Sequence, residues 1–212
     1  MKDNIRVNVQ SSIRIEDDEI LYFDPWQIEE EIHDADVIFI THEHSDHFSP
    51  IDIAKVKNDD TILVAPESMK DSIYKECRFE ASNLIFLKPG IIKEIGKLVV
   101  ETVPAYNKLK PFHQKSKEWL GYVVNMEGRR YFVAGDTDVT EENKCVKCDV
   151  AILPIGGHFT MDKKGAKDLV AAIRPEVVVP THYGEVVGSP DDGKDFAKML
   201  EEWPVEVRVL LN

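Results

Sequence analysis

The segment Thr41-His42-Glu43-His44-Ser45-Asp46-His47-Phe48 places three of the chain's seven histidines and an aspartate within six residues. Neutral imidazole and carboxylate are the ligands that first-row divalent cations favour, zinc above all. Along an extended segment residues 42, 44 and 46 face one way, and a turn at 46–47 redirects His47. Neighbouring side chains could then serve two adjacent metals rather than crowd one. The helical HExxH pattern of zinc proteases is absent, because Glu43 lies between His42 and His44. A histidine-rich surface loop is the plainer reading. It fits poorly with a cluster that leaves the end of an apolar run, Val37-Ile38-Phe39-Ile40.

The flanking elements explain how such a cluster could be held. The apolar run reads as a buried strand, and Ser49-Pro50 as the cap and first residue of a helix reaching about Val56. Upstream, alternating residues predict strands over 5–9, 12–15 and 20–23, an antiparallel meander closed by the turn Asp24-Pro25. Downstream, strands are expected over 61–65, 84–87, 91–94 and 97–104, with a helix over 66–74. Residues 105–118 carry no period, and a long irregular segment in a compact domain is often functional. A hairpin over 119–126 and 130–134 turns at Glu127-Gly128. Strands over 150–153, 176–180 and 205–211 then alternate with helices from Thr160, as cap, to about Ile173 and from Gly193 to about Glu202. Antiparallel strands followed by strand-helix units predict one domain over 1–212, two packed sheets with helices outside. In four places a strand gives way to a loop bearing His or Asp: His42, Asp136, His158 and His182. Strand ends are rigid platforms on which a site can be assembled from distant sequence.

Composition bounds the function. A formal net charge of -13, without a lysine- or arginine-rich stripe, argues against nucleic-acid binding through phosphate neutralisation. No apolar stretch is long enough to span a bilayer and no basic-then-apolar leader opens the chain, so no membrane partner is expected. Three cysteines are too few for a disulfide framework, and a cytoplasmic location is the simplest expectation. Oligomeric state stays open.

The chain also carries Ala105-Tyr106-Asn107, Phe112-His113, Ala134-Gly135-Asp136-Thr137, Pro154-Ile155-Gly156-Gly157 and His182-Tyr183-Gly184. With His42-x-His44-x-Asp46-His47, these segments resemble, in order, those of the metallo-β-lactamase superfamily. They are most similar to its compact bacterial metal-dependent hydrolases, related to ascorbate-6-phosphate lactonases and N-acyl-phosphatidylethanolamine phospholipases. The resemblance implies a four-layer αββα sandwich, of α/β (α+β) class, with a dinuclear metal site at one edge. His42, His44 and a later histidine would hold one metal. Asp46, His47 and His182 would hold the other, with Asp136 bridging. Many members place the later histidine where this chain has Asn107. His113, six residues on, is favoured here because imidazole is the better zinc ligand. The implied reaction is metal-assisted hydrolysis of a small ester, lactone, amide or phosphodiester by a metal-bridging hydroxide. Asp46 would orient the hydroxide and take its proton. Zinc is expected, with manganese or iron compatible with the ligands. A redox diiron relative would replace a histidine of the cluster by glutamate, and His44 speaks against that. A metal-binding protein without catalysis is the remaining alternative.

Other residues carry weaker signals. His158 borders the expected site as a substrate contact or proton donor, or as a solvent-exposed histidine, and Asn107 is a second possible substrate contact. His33 is expected on a helix surface. Cys145-x-x-Cys148 has no partner pair and reads as coincidence. Lys108, Lys110, Lys115 and Lys117 flank His113 and could attract an anionic small-molecule substrate, or simply be solvated.

Overall fold

A computed structural model describes residues 4–211. Strands β1 (Asn4–Val7), β2 (Ile13–Glu16) and β3 (Ile20–Phe23) form the expected antiparallel meander. Strands β4 (Ala35–Phe39), β5 (Lys57–Pro66) and β6 (Leu84–Leu87) then add in parallel, completing a six-stranded sheet in chain order. Parallel neighbours need crossovers, supplied by helices α1 (Pro50–Val56) and α2 (Lys70–Glu76). Ser49 caps α1 by accepting a hydrogen bond from the Asp52 N–H, with Pro50 at the first helical position. The helix expected over 66–74 opens instead as a 3-10 turn, Glu67–Met69, before α2.

The second sheet begins with antiparallel β7 (Ile92–Ile95), β8 (Leu98–Pro104), β9 (Leu120–Met126) and β10 (Arg129–Val133). It continues in parallel through β11 (Val150–Pro154), β12 (Val177–Thr181) and β13 (Glu206–Val207), with α3 (Lys163–Ile173) and α4 (Asp192–Met199) as crossovers.

Side-chain parity sorts the core into layers. On β4, Val37 and Phe39 face the other sheet, while Ile38 and, just past the strand, Ile40 pack with Ile53 and Val56 of α1. On β12, Val177 and Val179 point inward and Val178 packs with α3 residues such as Leu169. Strands covered on both faces explain the uninterrupted apolar runs of the sequence. The result is the αββα sandwich. At its centre Phe23 stacks on Phe39 at 4.7 Å, and Tyr122 of the second sheet meets Phe39 at 5.1 Å.

Three local expectations need correction. The cap of α3 is Asp162, whose Oδ1 accepts from Gly165 N–H at 2.8 Å. Thr160 is buried two residues earlier, its hydroxyl donating to the Met161 carbonyl. His33 lies on no helix: it sits exposed in a left-handed turn (φ 54°) before β4, its ring bonded to the Lys57 carbonyl. The closing strand, expected over 205–211, keeps only Glu206 and Val207. Arg208 N–H reaches Val178 O, but the next rung of the ladder would need an N–H from Pro180, which has none.

Candidate metal centre

The loop after β4 is fixed from both ends. Tyr122 Oη donates to Ile40 O at 2.7 Å, and Leu120 N–H donates to Thr41 O at 3.1 Å, so the second sheet grips the strand end. The N–H groups of His47 and Phe48 both donate to His44 O, at 2.9 and 2.8 Å, making the turn that returns His47 toward His42. Phe48 anchors that turn in the outer core of the first sheet. Asp136 arrives after β10 through Gly135, whose φ of 65° and close approach to Thr41 suit glycine: an added Cβ would lie 3.2 Å from Thr41 Cβ. His182 follows β12 with φ 58°, an uncommon conformation for a residue with a Cβ. Its N–H donates to Gln10 O at 2.9 Å, and a Cβ on Gly156 would stand 2.2 Å from its carbonyl oxygen. His182 is held between the two sheets.

These loops converge. Donor atoms of His42, His44 and His113 lie within 4.8 Å of one another, as do those of His42, His47 and Asp136, and those of Asp46, His47 and His182. The Asp136 carboxylate stands among four imidazoles, with His182 Nε2 at 3.0 Å, His113 Nε2 at 3.3 Å, His47 Nε2 at 3.4 Å and His42 Nε2 at 3.9 Å. Asp46 Oδ2 lies 3.5 Å from His47 Nε2 and 3.6 Å from His182 Nε2. Yet Nε2 of His47, His113 and His182 and Oδ1 of Asp136 are buried without a hydrogen-bond partner. Orphaned buried polar atoms are rare and costly, about 1–3 kcal/mol each. Atoms that lie close without aligning on each other aim at a common point between them. One or two divalent cations at that point would satisfy the whole set, so the residues present fit a metal.

A further layer of hydrogen bonds sets the ring tautomers. Buried Asp24 accepts from Thr41 N–H at 2.7 Å, from Thr41 Oγ1–H at 2.6 Å and from His47 Nδ1–H at 2.7 Å. Since the Thr41 hydroxyl spends its proton on Asp24, it accepts from His42 Nδ1–H at 2.9 Å. Asn107 Oδ1 accepts from His113 N–H at 3.2 Å and from His113 Nδ1–H at 3.1 Å, while its amide nitrogen donates to Phe159 O at 2.9 Å. Each of these three imidazoles therefore turns Nε2 toward the centre. Carbonyl, hydroxyl or carboxylate support behind a ligating histidine fixes ring orientation and raises basicity. Trp119 packs edge-on against His44 and His113 and tilted against His42, at centroid distances of 4.9, 5.4 and 4.9 Å.

Burial and mutual charge divide the titrating groups. Burial, joined by the charge of His47, holds the His42 imidazole well below its ordinary value, and burial lowers His44 too. Burial also penalises charge on His182, but the Asp136 and Asp46 carboxylates override it and push this imidazole up to about 9. His47 is raised in the same way by Asp136 and Asp24. Burial opposes ionisation of Asp46 and Asp136, yet the neighbouring imidazoles His182 and His47 hold both carboxyls well below the usual carboxylate range.

The structure thus brings His42, His44, Asp46, His47, His113, Asp136 and His182 into one cluster. Asn107 is not among its donor groups; it lies behind His113. Sequence reasoning missed Asp24, whose only mark was an Asp-Pro turn, and Trp119, whose ring closes the back of the cluster. His158 is exposed, packed against Phe112 at 5.1 Å and Phe159 at 4.6 Å, and touches none of the clustered imidazoles. Three of the four loop lysines meet carboxylates: Lys110 with Asp138, Lys115 with Glu142 and Lys117 with Glu43. Cys145 and Cys148 are free thiols, and burial pushes Cys148 up to about 12, away from the thiolate that redox or metal chemistry requires.

Residues 9–183 match the family described as the beta-lactamase superfamily domain. A "UPF0173 metal-dependent hydrolase" of Aeropyrum pernix is 34% identical over 200 residues, covering 85% of this chain and 80% of the relative. A solved structure from Parabacteroides distasonis is 28% identical, with a TM-score of 0.80 over 98% of this chain and 93% of its own. Igni18, a metallo hydrolase of Ignicoccus hospitalis, shares the fold at 23% identity, with a TM-score of 0.81 over 98% of this chain and 94% of its own.

Proposed function

Because the chain belongs to the metallo-β-lactamase superfamily, we propose that it is a metal-dependent hydrolase of a small molecule, with a dinuclear centre. The observation that carries this reading is the orphaned ring of Nε2 and carboxylate atoms around Asp136. His42, His44 and His113 would hold one metal, Asp46, His47 and His182 the other, and Asp136 would reach both. Five imidazoles with two carboxylates favour zinc, and also suit iron or manganese better than calcium or magnesium. When bound, the metal supplies Lewis acidity toward a scissile carbonyl or phosphoryl oxygen and acidifies water.

The chain's own residues do the rest. Asp46 keeps a side chain 17% exposed while Asp136 is 3% exposed, so Asp46 is the carboxylate within reach of substrate and water. Held ionised by His182 and His47, it can accept a hydrogen bond from the attacking water and so orient it. Asp24, Thr41 and Asn107 keep the imidazole lone pairs aimed inward throughout. Buried Trp119 excludes water from behind His42, His44 and His113. Among the described residues no helix is long and apolar enough to cross a membrane. With three free cysteines, a cytoplasmic site of action is the reading we favour.

Metal analysis after zinc loading should find two equivalents per chain. A panel of bis-p-nitrophenyl phosphate, lactones and thioesters should reveal at least one class hydrolysed, lost on chelation and restored by zinc. No turnover of any class by the loaded protein overturns the enzyme reading, and fewer than one metal per chain overturns the centre itself.

A further inference from the structure

Resting on the hydrolase reading above, we infer that the body of the substrate is apolar, and that its alkyl, acyl or aryl part lies in a cleft beside the metal centre. The cleft opens between the 105–118 segment and the loop leading into α3, with a volume of about 830 Å³. Small-molecule sites typically occupy ~300–1,000 Å³.

Three residues of the cleft's wall neighbour the cluster along the chain. Phe112 in its wall immediately precedes His113, Asp138 lies two residues beyond Asp136, and Lys108 follows Asn107. The Asn107 amide also donates to Phe159 O, tying His113's support to the loop that presents His158. Those chain steps and that hydrogen bond set the wall next to the segment that carries His113.

The wall is apolar where it is open. Leu109 is 97% exposed, the most exposed large hydrophobic side chain among the described residues, and Phe112 adds to it. Val139 and Met161 line the opposite side. Phe112, His158 and Phe159 pack on one another at 4.6 to 5.1 Å, so the aromatic surface is ordered in advance of binding.

The formal charges of the wall sum to zero. The wall holds two cations, Lys108 and Lys110, and two anions, Asp138 and Asp162. The Lys110 ammonium gives its three protons to Asp138 Oδ1, Gly157 O and Thr160 O, at 2.6, 3.2 and 2.5 Å. None is left for an anionic ligand. Lys110, Lys115 and Lys117 of the sequence's lysine group hold the loop through carboxylates.

Two measurements on the metal-loaded protein test this. In a series of p-nitrophenyl esters from acetyl to octanoyl, corrected for hydroxide reactivity, kcat/KM should climb roughly twofold to fourfold per methylene. Separately, 1-octanol should shift the methyl resonances of Leu109, Val139 and Met161, and Leu109→Asp should weaken that binding about fivefold or more with metal content unaltered. Flat kcat/KM across the series, no shift of any cleft methyl, or a Leu109→Asp protein that binds octanol like the parent each overturns the inference. If octanol binds as expected but no ester, lactone or phosphodiester is cleaved, the cleft stands and the hydrolase reading falls.

Discussion

Substitution of Asn107 separates a residue that holds metal from one that holds a ligand. Asn107→Ala removes the single oxygen that accepts both His113 N–H and His113 Nδ1–H. His113 is 1% exposed, so neither donor can turn to water. Two unsatisfied buried donors at about 1–3 kcal/mol each predict a loss of about 2–6 kcal/mol in stability. The carbonyl of Phe159 also loses a donor, but this residue is half-exposed and water can replace the amide. Released from its tautomer, His113 should bind metal less well, by about 10- to 100-fold at the site it shares with His42 and His44. Asn107→Asp keeps an acceptor behind the imidazole and should hold metal within about threefold of the parent. The assays are urea unfolding of the metal-free proteins and zinc affinity by chelator competition, with His113→Ala alongside. If Asn107 were itself the ligand, His113→Ala would keep full metal content and Asn107→Asp would bind more tightly than the parent. An Asn107→Ala protein with parental stability and zinc affinity refutes the reasoning altogether.

Asp24→Ala should cost about 3–5 kcal/mol in metal-free stability, because it strips the partner from a buried His47 that carries charge; equilibrium unfolding measures it. The His182 imidazole, raised in the fold to about 9 from an ordinary value near 6.5, contributes stability that is complete below pH ~6.5 and lost as pH rises through about 9. For chelator-stripped protein this amounts to roughly 3 kcal/mol, read from urea midpoints at pH 6.5 and 9.5. The same proton competes with metal, so zinc affinity should rise across that interval, and a flat profile refutes the assignment. Gly156→Ala should destabilise by about 1–3 kcal/mol, since its Cβ would collide with the His182 carbonyl, and zinc affinity should fall with it.

The parts legible in the sequence were those where chemistry and local pattern coincide. The 42–47 cluster, Asp136 and His182 each follow an apolar strand, and the strands put them at one edge. His113 was harder, because the segment carrying it has no period and is shaped by contacts of its Asn107 with Phe159 and of its Lys108 with Asp138, both far along the chain. Asp24 was invisible as a supporting residue for a similar reason: its partners are Thr41 and His47, brought near only when β3 and β4 pair. Lys110, Lys115 and Lys117 show another limit: charge can be read from sequence, but the partners Asp138, Glu142 and Glu43 cannot. Thr160 lost the helix cap to Asp162, a competition between two good caps that only the loop's path decides.

The clustered donors divide evenly enough to matter for the lifetime of the fold. His42, His44, Asp46 and His47 leave the first sheet, while His113, Asp136 and His182 belong to the second. Cations held there cross-link two halves whose ligands lie up to more than a hundred positions apart in the chain. Such contacts exist only once the sheets have docked, late in folding, so metal should slow unfolding while leaving the folding rate nearly unchanged. The supply of metal would then set how long each molecule persists against proteolysis and heat, quite apart from the reaction it serves.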